Sequence, residues 1–223
     1  MRHSLLRSAL TPLAFMALCL SGCGGVFQPQ IIGSGKAATE KREVAPFTKI
    51  QGGGAIHVEA TVGEPQSLEV TTDDNLVPHI LTEVDNGVLT IRSDVSSYRT
   101  NLKVKVKATV KELTGMNLSG ASHGKAAGIT GAAFAADVSG ASKIDAAGAV
   151  ESLTADGSGA SHVNALDLVA QKVTAKASGA SHIEITAKES LDAHAHGASS
   201  IRFAGAPKAV TTTNTGASSV KAK

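Results

Sequence analysis

The sequence predicts an all-β chain in which a right-handed parallel β-helix, or solenoid, of about six coils of 18–20 residues follows a β-rich N-terminal half. Three observations lead to this prediction. A four-residue word, Ser-Gly-Ala-Ser, recurs through the C-terminal half, apolar and polar residues alternate around each copy, and an Asn-Gly turn separates two strand-like runs upstream. The predicted parts are a signal peptide (1–22), a lipidated tether (23–43), an N-terminal β half (44–112) and a repeat half (113–223).

The first 22 residues are predicted to be an export signal. Arg2 and Arg7 make a basic start, and Ser8 to Leu20 is an apolar run that is too short for a permanent membrane span. The run ends in Leu20-Ser21-Gly22-Cys23, which resembles the lipobox of bacterial lipoproteins. That resemblance implies cleavage before Cys23 and acylation of its sulfur, by palmitate. An ordinary signal peptide with an incidental cysteine is the alternative. Gly24, in place of the Asp of inner-membrane lipoproteins, favours the outer membrane, on either its periplasmic or its surface face.

The composition excludes several classes of function. Basic residues number 21 and acidic residues 19, and removal of a leader that holds two arginines leaves 19 of each. The mature chain therefore lacks the basic surplus with which nucleic-acid binders displace counterions. Cys19 leaves with the leader and Cys23 is lipidated, so no thiol remains for a disulfide or a thiolate metal site. Aromatic residues make up only 3% of the chain, so platforms that could stack sugars or bases are scarce.

The N-terminal half shows strand patterns without the repeat. Residues 24–43 contain Gly, Pro, Gln and mixed charges and are typical of a tether. Apolar and polar residues then alternate in Ile56–Val62 and again in Leu102–Val110, as in strands with one buried face. Asn86-Gly87 lies between two apolar runs and predicts a hairpin. A soft boundary is expected near residue 113, with one core shared by the two halves.

The repeat half is predicted to be the solenoid. Each copy of the word sits in a period of 18–20 residues, which is the length of one coil with two or three short strands. The glycine allows the bend between strands. Ala and Ser suit a narrow inward column, in which stacked Ser hydroxyls are expected to bond to one another. The word occurs, intact or degraded, around Gly120, Gly140, Gly159, Gly179, Gly197 and Gly216.

A family resemblance follows from short motifs in a fixed order. The chain resembles the head GIN domain family, a family of auto-transporter adhesins by name, over about residues 33 to 223. The resemblance implies a β-helical fold, an envelope location and, from the name, adhesion; it assigns no catalytic residue. The motifs are Gly33-Ser34-Gly35, Arg42-Glu43-Val44, Phe47-Thr48-Lys49-Ile50, Asp73-Asp74-Asn75-Leu76 and Asn86-Gly87-Val88-Leu89-Thr90-Ile91, before the Ser-Gly-Ala-Ser series.

Histidines provide the candidate binding residues. His123, His162 and His182 each follow a copy of the word, where Lys143 stands in another copy, so they are expected to form an outward column. That column is either a solvated face or a site that binds an anion or a metal.

A second group of histidines lies in one predicted strand. Asp192, His194 and His196 alternate with alanines, so their side chains are expected to share the outward face. Residues two apart in a strand are about 6.6 Å apart at Cα, a workable spacing for two imidazoles and a carboxylate on zinc. The sequence thus gives a metal hypothesis for Asp192, His194 and His196, with an exposed polar strand as the alternative.

Enzymatic patterns are weak. Gly120-Ala121-Ser122-His123-Gly124 matches the Gly-x-Ser-x-Gly nucleophile pattern by letter, but that pattern requires a strand-to-helix elbow, and here it lies in a β repeat. Asp137 and Asp156 occupy equivalent positions in neighbouring coils, and Lys176 follows in the next coil. Paired carboxylates of this kind are what a carbohydrate-active β-helix enzyme uses.

The predicted function is that of a non-enzymatic cell-envelope lipoprotein. It would be held at the membrane by its lipid and would present its solenoid surface for adhesion or envelope scaffolding, with an envelope protein or a glycan as partner. No nucleic-acid partner and no cofactor are expected. The alternative is a carbohydrate-active enzyme resembling polysaccharide lyases and hydrolases.

Overall fold

Alternation of apolar and polar residues produces strands along most of the part of the chain that the structure describes, residues 30–223 of a computed structural model. A single 3₁₀ helix in this part spans Val77–His79. The strands are β1 (Ile31–Ile32), β2 (Ala37–Lys41), β3 (Lys49–Gly52), β4 (Ile56–Val62), β5 (Ser67–Asp73), β6 (Ile80–Asp85), β7 (Val88–Ser93), β8 (Tyr98–Arg99), β9 (Val104–Val110), β10 (Gly115–Leu118), β11 (His123–Val138), β12 (Lys143–Gly157), β13 (His162–Ala177), β14 (His182–Gly197), β15 (Ser200–Ala204), β16 (Ala209–Gly216) and β17 (Ser219–Ala222).

The C-terminal strands stack as a parallel solenoid. Strands β11 to β14 pair in parallel, each with the next. Each strand also bends around the coil, since the first part of β11 pairs with β4 and its last part with β10. The predicted all-β solenoid with a β-rich N-terminal part is confirmed, with about five turns. The six corners of the repeat half, from Gly120 to Gly216, enclose five intervals of 18–20 residues.

A glycine in the left-handed region turns each corner. The φ angle is +77° at Gly120, +70° at Gly140 and +74° at Gly159. The corners also stack backbone on backbone, because the Ala141 amide donates to the Gly120 carbonyl at 2.7 Å and the Ala160 amide to the Gly140 carbonyl at 2.8 Å. A Cβ atom added at Gly159 would lie 2.8 Å from the Gly140 carbonyl oxygen. Both the conformation and the lack of space therefore require glycine.

The last serine of each word points into the coil, as predicted, but its hydroxyl does not bond to the next serine. The Ser122 Oγ donates to the Ser119 carbonyl at 2.8 Å, and the Ser181 Oγ donates to the Gly157 carbonyl at 3.0 Å. The Ser142 Oγ accepts the Ser122 amide at 3.3 Å, so this contact between neighbouring corners also goes to the backbone. Carbonyl groups at the corner accept the hydroxyl protons.

One hydrophobic cluster runs through both halves of the chain. It contains Ile50 and Val106 from the N-terminal half and Ile144, Val163 and Ile183 from the repeat half, all nearly fully buried. Aliphatic side chains and alanines make up most of the cluster, as the low aromatic content predicts. The hydrophobic effect that holds the coils together therefore acts continuously along the stack.

The N-terminal strands enter this stack in an order that differs from their order in the chain. Strand β3 lies between β7 and β10, and β4 lies between β9 and β11, all in parallel. Gly54, with φ of +93°, turns the corner between β3 and β4, and its carbonyl accepts the Ala121 amide at 2.6 Å. The segment Lys49–Val62 is thus a coil of the solenoid that the repeat does not reveal.

Antiparallel strands cover the N-terminal end of the stack. Strand β5 pairs with both β2 and β9, and β6 pairs with β7. The turn between β6 and β7 is Asn86-Gly87, with φ angles of +48° and +76°. The hairpin predicted at Asn86-Gly87 is confirmed. This end of the solenoid is therefore covered by antiparallel strands, whereas the coils themselves pair in parallel.

The predicted tether, residues 23–43, is folded in its C-terminal part. Strand β1 pairs with β8 and strand β2 with β5. Four of the five β2 residues are exposed, so this strand lacks the apolar alternation by which a strand is recognised in a sequence. The structure therefore places strands within the predicted tether from Ile31 onwards.

Two of the motifs that carry the family resemblance contact each other. The Gly35 amide donates to the Asp73 carboxylate at 2.6 Å, and the Ser34 amide donates to the Asn75 side chain at 2.9 Å. The hydrogen bond from the Thr100 hydroxyl, together with that from the Gly35 amide, holds the pKa of Asp73 below its ordinary value. This contact fastens the N-terminal segment to the antiparallel end of the solenoid.

The predicted signal peptide and Cys23 lie outside the described residues. Their cleavage and lipidation stay predictions. Within residues 30–223, no helix has the length and apolar character needed to cross a membrane.

Candidate binding surface

Each corner fixes the direction of the side chain that follows it. Because the last serine of the word points inward, the next residue points outward, and the register places these residues side by side. His123 lies beside Lys143, Lys143 beside His162, and His162 beside His182. The His162 and His182 rings stack, with centroids 5.7 Å apart and planes 13° apart. The outward column predicted from the sequence is confirmed.

The column extends further than the sequence predicted. His57 lies beside His123, with ring centroids 5.7 Å apart, and Lys105 lies beside His57. The self-comparison missed His57 because the corner before it, Gly53-Gly54-Ala55-Ile56, lacks both serines. The pattern Gly-Ala-x-His, shared by residues 54–57 and 120–123, would have found it.

We call this surface the histidine face. It consists of two parallel columns, the histidine column and the column of residues two positions further along each strand. The first column holds Lys105, His57, His123, Lys143, His162, His182 and Ser200, and the second holds Lys107, Glu59, Lys125, Asp145, Asn164, Glu184 and Arg202.

An ion pair and a hydrogen bond link the two columns near the middle of the face, and a second hydrogen bond lies within the second column. The Asp145 carboxylate lies 2.7 Å from the His123 Nε2 and 2.9 Å from the Lys143 Nζ, and it accepts a hydrogen bond from the Asn164 amide. Burial would raise the pKa of Asp145, but the hydrogen bonds from His123, Lys143 and Asn164 outweigh it and lower the pKa. Asp145 is therefore ionised at neutral pH and fixes its neighbours in place.

Two of the histidines favour their neutral form. Burial lowers the pKa of His57, and the charges of Lys103 and Lys105 lower it further. Burial, then Lys143 and His182, lowers the pKa of His162. At neutral pH both rings are therefore uncharged, with one nitrogen that donates and one that accepts a hydrogen bond.

A second face carries the carboxylates. Asp137 lies beside Asp156, and Asp156 lies beside Lys176, as predicted from their equivalent positions. Burial, followed by the negative charge of Asp156, raises the pKa of Asp137 above its ordinary value. A shallow depression of about 480 Å³ on this face is lined by Asp156, Lys176, Ala177, Ser178, His194 and His196.

The structure places Asp192, His194 and His196 on one outward strand face, as their alternation predicts. The Asp192 Oδ1 and the His194 Nε2 are 3.1 Å apart, whereas the His196 Nδ1 lies 2.5 Å from the Thr215 hydroxyl of the next coil. Among residues 30–223, no three His, Cys, Asp or Glu side chains are grouped so that they could hold a metal ion. Two members of the hypothesised metal site are therefore together and the third is turned toward its neighbour.

The Gly-x-Ser-x-Gly match has a structural explanation. Ser122 is 2% exposed, and its hydroxyl donates to the Ser119 carbonyl. A serine nucleophile needs an exposed hydroxyl bonded to a general base. The Ser122 hydroxyl instead stabilises the corner by its hydrogen bond to the Ser119 carbonyl.

A family profile and solved structures match this chain. The profile described as "Putative auto-transporter adhesin, head GIN domain" matches residues 46–207. No curated protein sequence matches the chain.

Among solved structures, one from Bacteroides fragilis described as a "putative adhesin" is 23% identical, with a TM-score of 0.71, and the match covers 86% of this chain and 100% of that chain. A "putative adhesin" from Parabacteroides merdae is 20% identical, with a TM-score of 0.57, over 87% of this chain and 99% of that chain. A "putative lipid binding protein" from Parabacteroides distasonis is 20% identical, with a TM-score of 0.51, over 87% and 100%. At these identities the similarity establishes the shared fold.

Proposed function

Since the chain belongs to the head GIN domain family, we propose that it is a non-enzymatic cell-envelope lipoprotein that adheres to an envelope protein or a glycan through the outer faces of its solenoid. The family's adhesin description fits a cell-envelope or surface protein. Adhesion or scaffolding by this particular chain is the proposal.

The histidine face is the observation that best supports adhesion. The coil backbones hold its residues in register, so donors, acceptors and charges follow one another at regular intervals. The Asp145 contacts and the His162–His182 stack order some of these side chains before any partner binds. An ordered polar surface loses less conformational entropy on binding than a mobile one.

The predicted anchor is compatible with the same proposal. A lipid on Cys23 would hold the chain at the outer membrane, and seven residues lie between Cys23 and Ile31, the first strand residue that the structure describes. The eight Cα-to-Cα steps from Cys23 to Ile31 span at most about 28 Å. The antiparallel end of the solenoid would therefore stay close to the membrane, and the repeat coils would extend from it.

Binding of the purified, detergent-solubilised protein to arrayed glycans and envelope proteins tests the proposal. The variant pair Lys143→Glu with Arg202→Glu reverses two charges on the histidine face. Lys172→Glu with Lys188→Glu makes the same charge change at exposed positions outside that face. We expect a ligand that binds the wild type and the control but not the face variant. A protein that retains no ligand from the panel, or a ligand that binds all three proteins alike, contradicts adhesion through this face.

The carbohydrate-active alternative rests on Asp137 and Asp156. Two carboxylates on neighbouring coils, one with a raised pKa, are the groups that a glycoside hydrolase needs as acid and base. This alternative predicts release of reducing ends from a polysaccharide by the wild type and its loss in Asp137→Asn. If Asp137→Asn releases as many reducing ends as the wild type, or if the wild type releases none, the enzyme alternative is ruled out.

A further inference from the structure

A depression lies at one end of the histidine face, where β9, β4 and β11 run side by side. It has a volume of about 390 Å³ and is lined almost entirely by charged and imidazole side chains. The lining residues are His57, Val58, Glu59, Lys103, Lys105, His123 and Lys125.

Strand geometry aims the cationic side chains at this depression. Lys105 and Lys107 alternate in β9 with the buried Val104 and Val106, and Lys103 directly precedes that strand, so the lysines point outward on one side. Pairing with β4 sets Lys105 beside His57. The positions of these side chains thus follow from the backbone.

The three lysines of the depression lack internal partners. Among residues 30–223, no carboxylate lies within 4.0 Å of the ammonium group of Lys103, Lys105 or Lys125. Lys143, further along the same face, is by contrast held 2.9 Å from the Asp145 carboxylate. Among the lining residues, three ammonium groups face the single carboxylate of Glu59, which leaves a formal charge of +2 before the imidazoles are counted.

The His57 imidazole adds directional hydrogen bonding. The His57 and His123 rings are 5.7 Å apart and tilted by 59°, and the His123 Nε2 lies 2.7 Å from the Asp145 carboxylate. The lowered pKa of His57, caused by burial and then by Lys103, His123 and Lys105, is in accord with a concentration of positive charge here. The neutral His57 imidazole can donate an N–H group to an anion while the lysines supply its counter-charge.

We propose that this depression, here called the cationic depression, is a binding site for a phosphate monoester. A phosphate monoester carries up to two negative charges and three acceptor oxygens, which match the formal charge of +2 and the several donors that converge here. The site occupies one end of the histidine face and shares His123 with the middle of that face, but it does not depend on adhesion. Its ligand is either free phosphate or the headgroup of a phosphorylated lipid, and the experiment distinguishes these sources.

The test uses the full chain, purified in a neutral detergent, and follows its histidine ring signals by NMR. Inorganic phosphate is titrated in one arm and dihexanoyl phosphatidic acid, a short-chain lipid with a phosphate monoester headgroup, in the other. The signals of His57 and His123 should move on titration, and those of His194, on the carboxylate face, should not. Lipid binding about tenfold tighter than phosphate binding identifies a lipid headgroup, and equal affinities identify the phosphate group itself.

A charge-neutralising variant provides the comparison. Lys103→Gln with Lys105→Gln and Lys125→Gln should weaken binding about tenfold or more in either arm. Lys172→Gln with Lys176→Gln and Lys188→Gln removes the same charge elsewhere and should bind as the wild type does. The proposal is overturned if neither ligand moves the His57 and His123 signals, if the depression variant keeps wild-type affinity, or if the control variant loses as much affinity. Unchanged melting temperatures show that the variants are folded.

Discussion

At the scale of single residues, the corner glycines are the most constrained positions. Gly87 and Gly159 have nearly the same φ, +76° and +74°. A Cβ atom at Gly87 would meet nothing within 4 Å, whereas at Gly159 it would meet the backbone of the preceding corner at 2.8 Å. The pair therefore separates the cost of a left-handed backbone from the cost of pushing two coils apart.

We predict that Gly159→Ala destabilises the fold more than Gly87→Ala. Gly87→Ala should cost about 1–2 kcal/mol, the strain of a left-handed alanine. Gly159→Ala adds the displacement of a stacked corner and should cost several kcal/mol in total, roughly 3–5. Urea denaturation measures both free energies of unfolding. Equal losses in the two variants would show that stacking of the corners contributes little.

The zinc hypothesis for Asp192, His194 and His196 is also decided at this scale. It predicts a weak heat of zinc binding for the wild type and none for the double variant His194→Ala with His196→Ala. Affinity should fall as the pH drops below about 6.5, because protonated imidazoles cannot bind the metal. Titration calorimetry at two pH values measures this. Equal heats from both proteins would leave the strand as a polar face.

Residue-level predictions succeeded where the repeat fixed the register. The histidine column and the Asp137–Asp156 contact both follow from counting along equivalent coils. The prediction that serine hydroxyls bond to one another was wrong, because the sequence does not show which backbone carbonyl groups a corner leaves unpaired. His57 was missed because its corner keeps only the glycine and alanine of the word.

At the scale of elements, β16 has one open edge. It pairs with β14, and none of the described strands lies on its other side. All eight of its residues are exposed, and between Ala209 and Gly216 it carries no charged side chain. A long uncharged edge strand is a template for pairing with another chain. Thr212 and Asn214 occupy the positions equivalent to the buried Ala193 and Ala195 of β14, so this edge is more polar than an internal coil.

We predict that this edge makes the protein self-associate weakly at high concentration. Val210 continues the inward position of Leu191 and is 47% exposed, so Val210→Lys should place a charge where a further coil would stack. Thr211→Lys, on the adjacent outward position, is the matched control. Sedimentation velocity should show association for the wild type and the control and a loss of it in Val210→Lys. Identical sedimentation of all three proteins would mean that this edge is inert.

At the scale of the whole molecule, the lipoprotein prediction makes membrane attachment depend on one residue, Cys23. If the lipobox is processed as predicted, Cys23→Ala should release the protein from the membrane fraction and abolish labelling by radioactive palmitate. The matched control is Cys19→Ala, which removes the cysteine of the leader and should leave labelling intact. Labelled, membrane-bound Cys23→Ala protein would contradict the lipoprotein prediction.

The architecture was predictable in its repeat half and only partly in its N-terminal half. In the repeat half, each coil stacks on the one before it. A period of 18–20 residues therefore predicts where each strand lies and also which strand it pairs with. In the N-terminal half, alternation predicts β4 and β9 as strands but carries no information about which strands are neighbours. The position of β4 between β9 and β11 depends on pairing between distant segments, which a single sequence does not show.

The insertion of β3 and β4 between later strands has a consequence for how the chain acquires its structure. Strand β4 pairs with β9 on one edge and with β11 on the other, and its pairing with β11 ends at residue 127. Both edges of β4 can therefore be paired only when the chain up to residue 127 has joined the sheet. The later coils each need only the preceding 20 or so residues. Closing the long loops of the N-terminal block is therefore the slow step of folding, and the repeat coils then add in sequence on a finished template. Substitutions in the block would slow folding, whereas substitutions in the last coils would mainly speed unfolding.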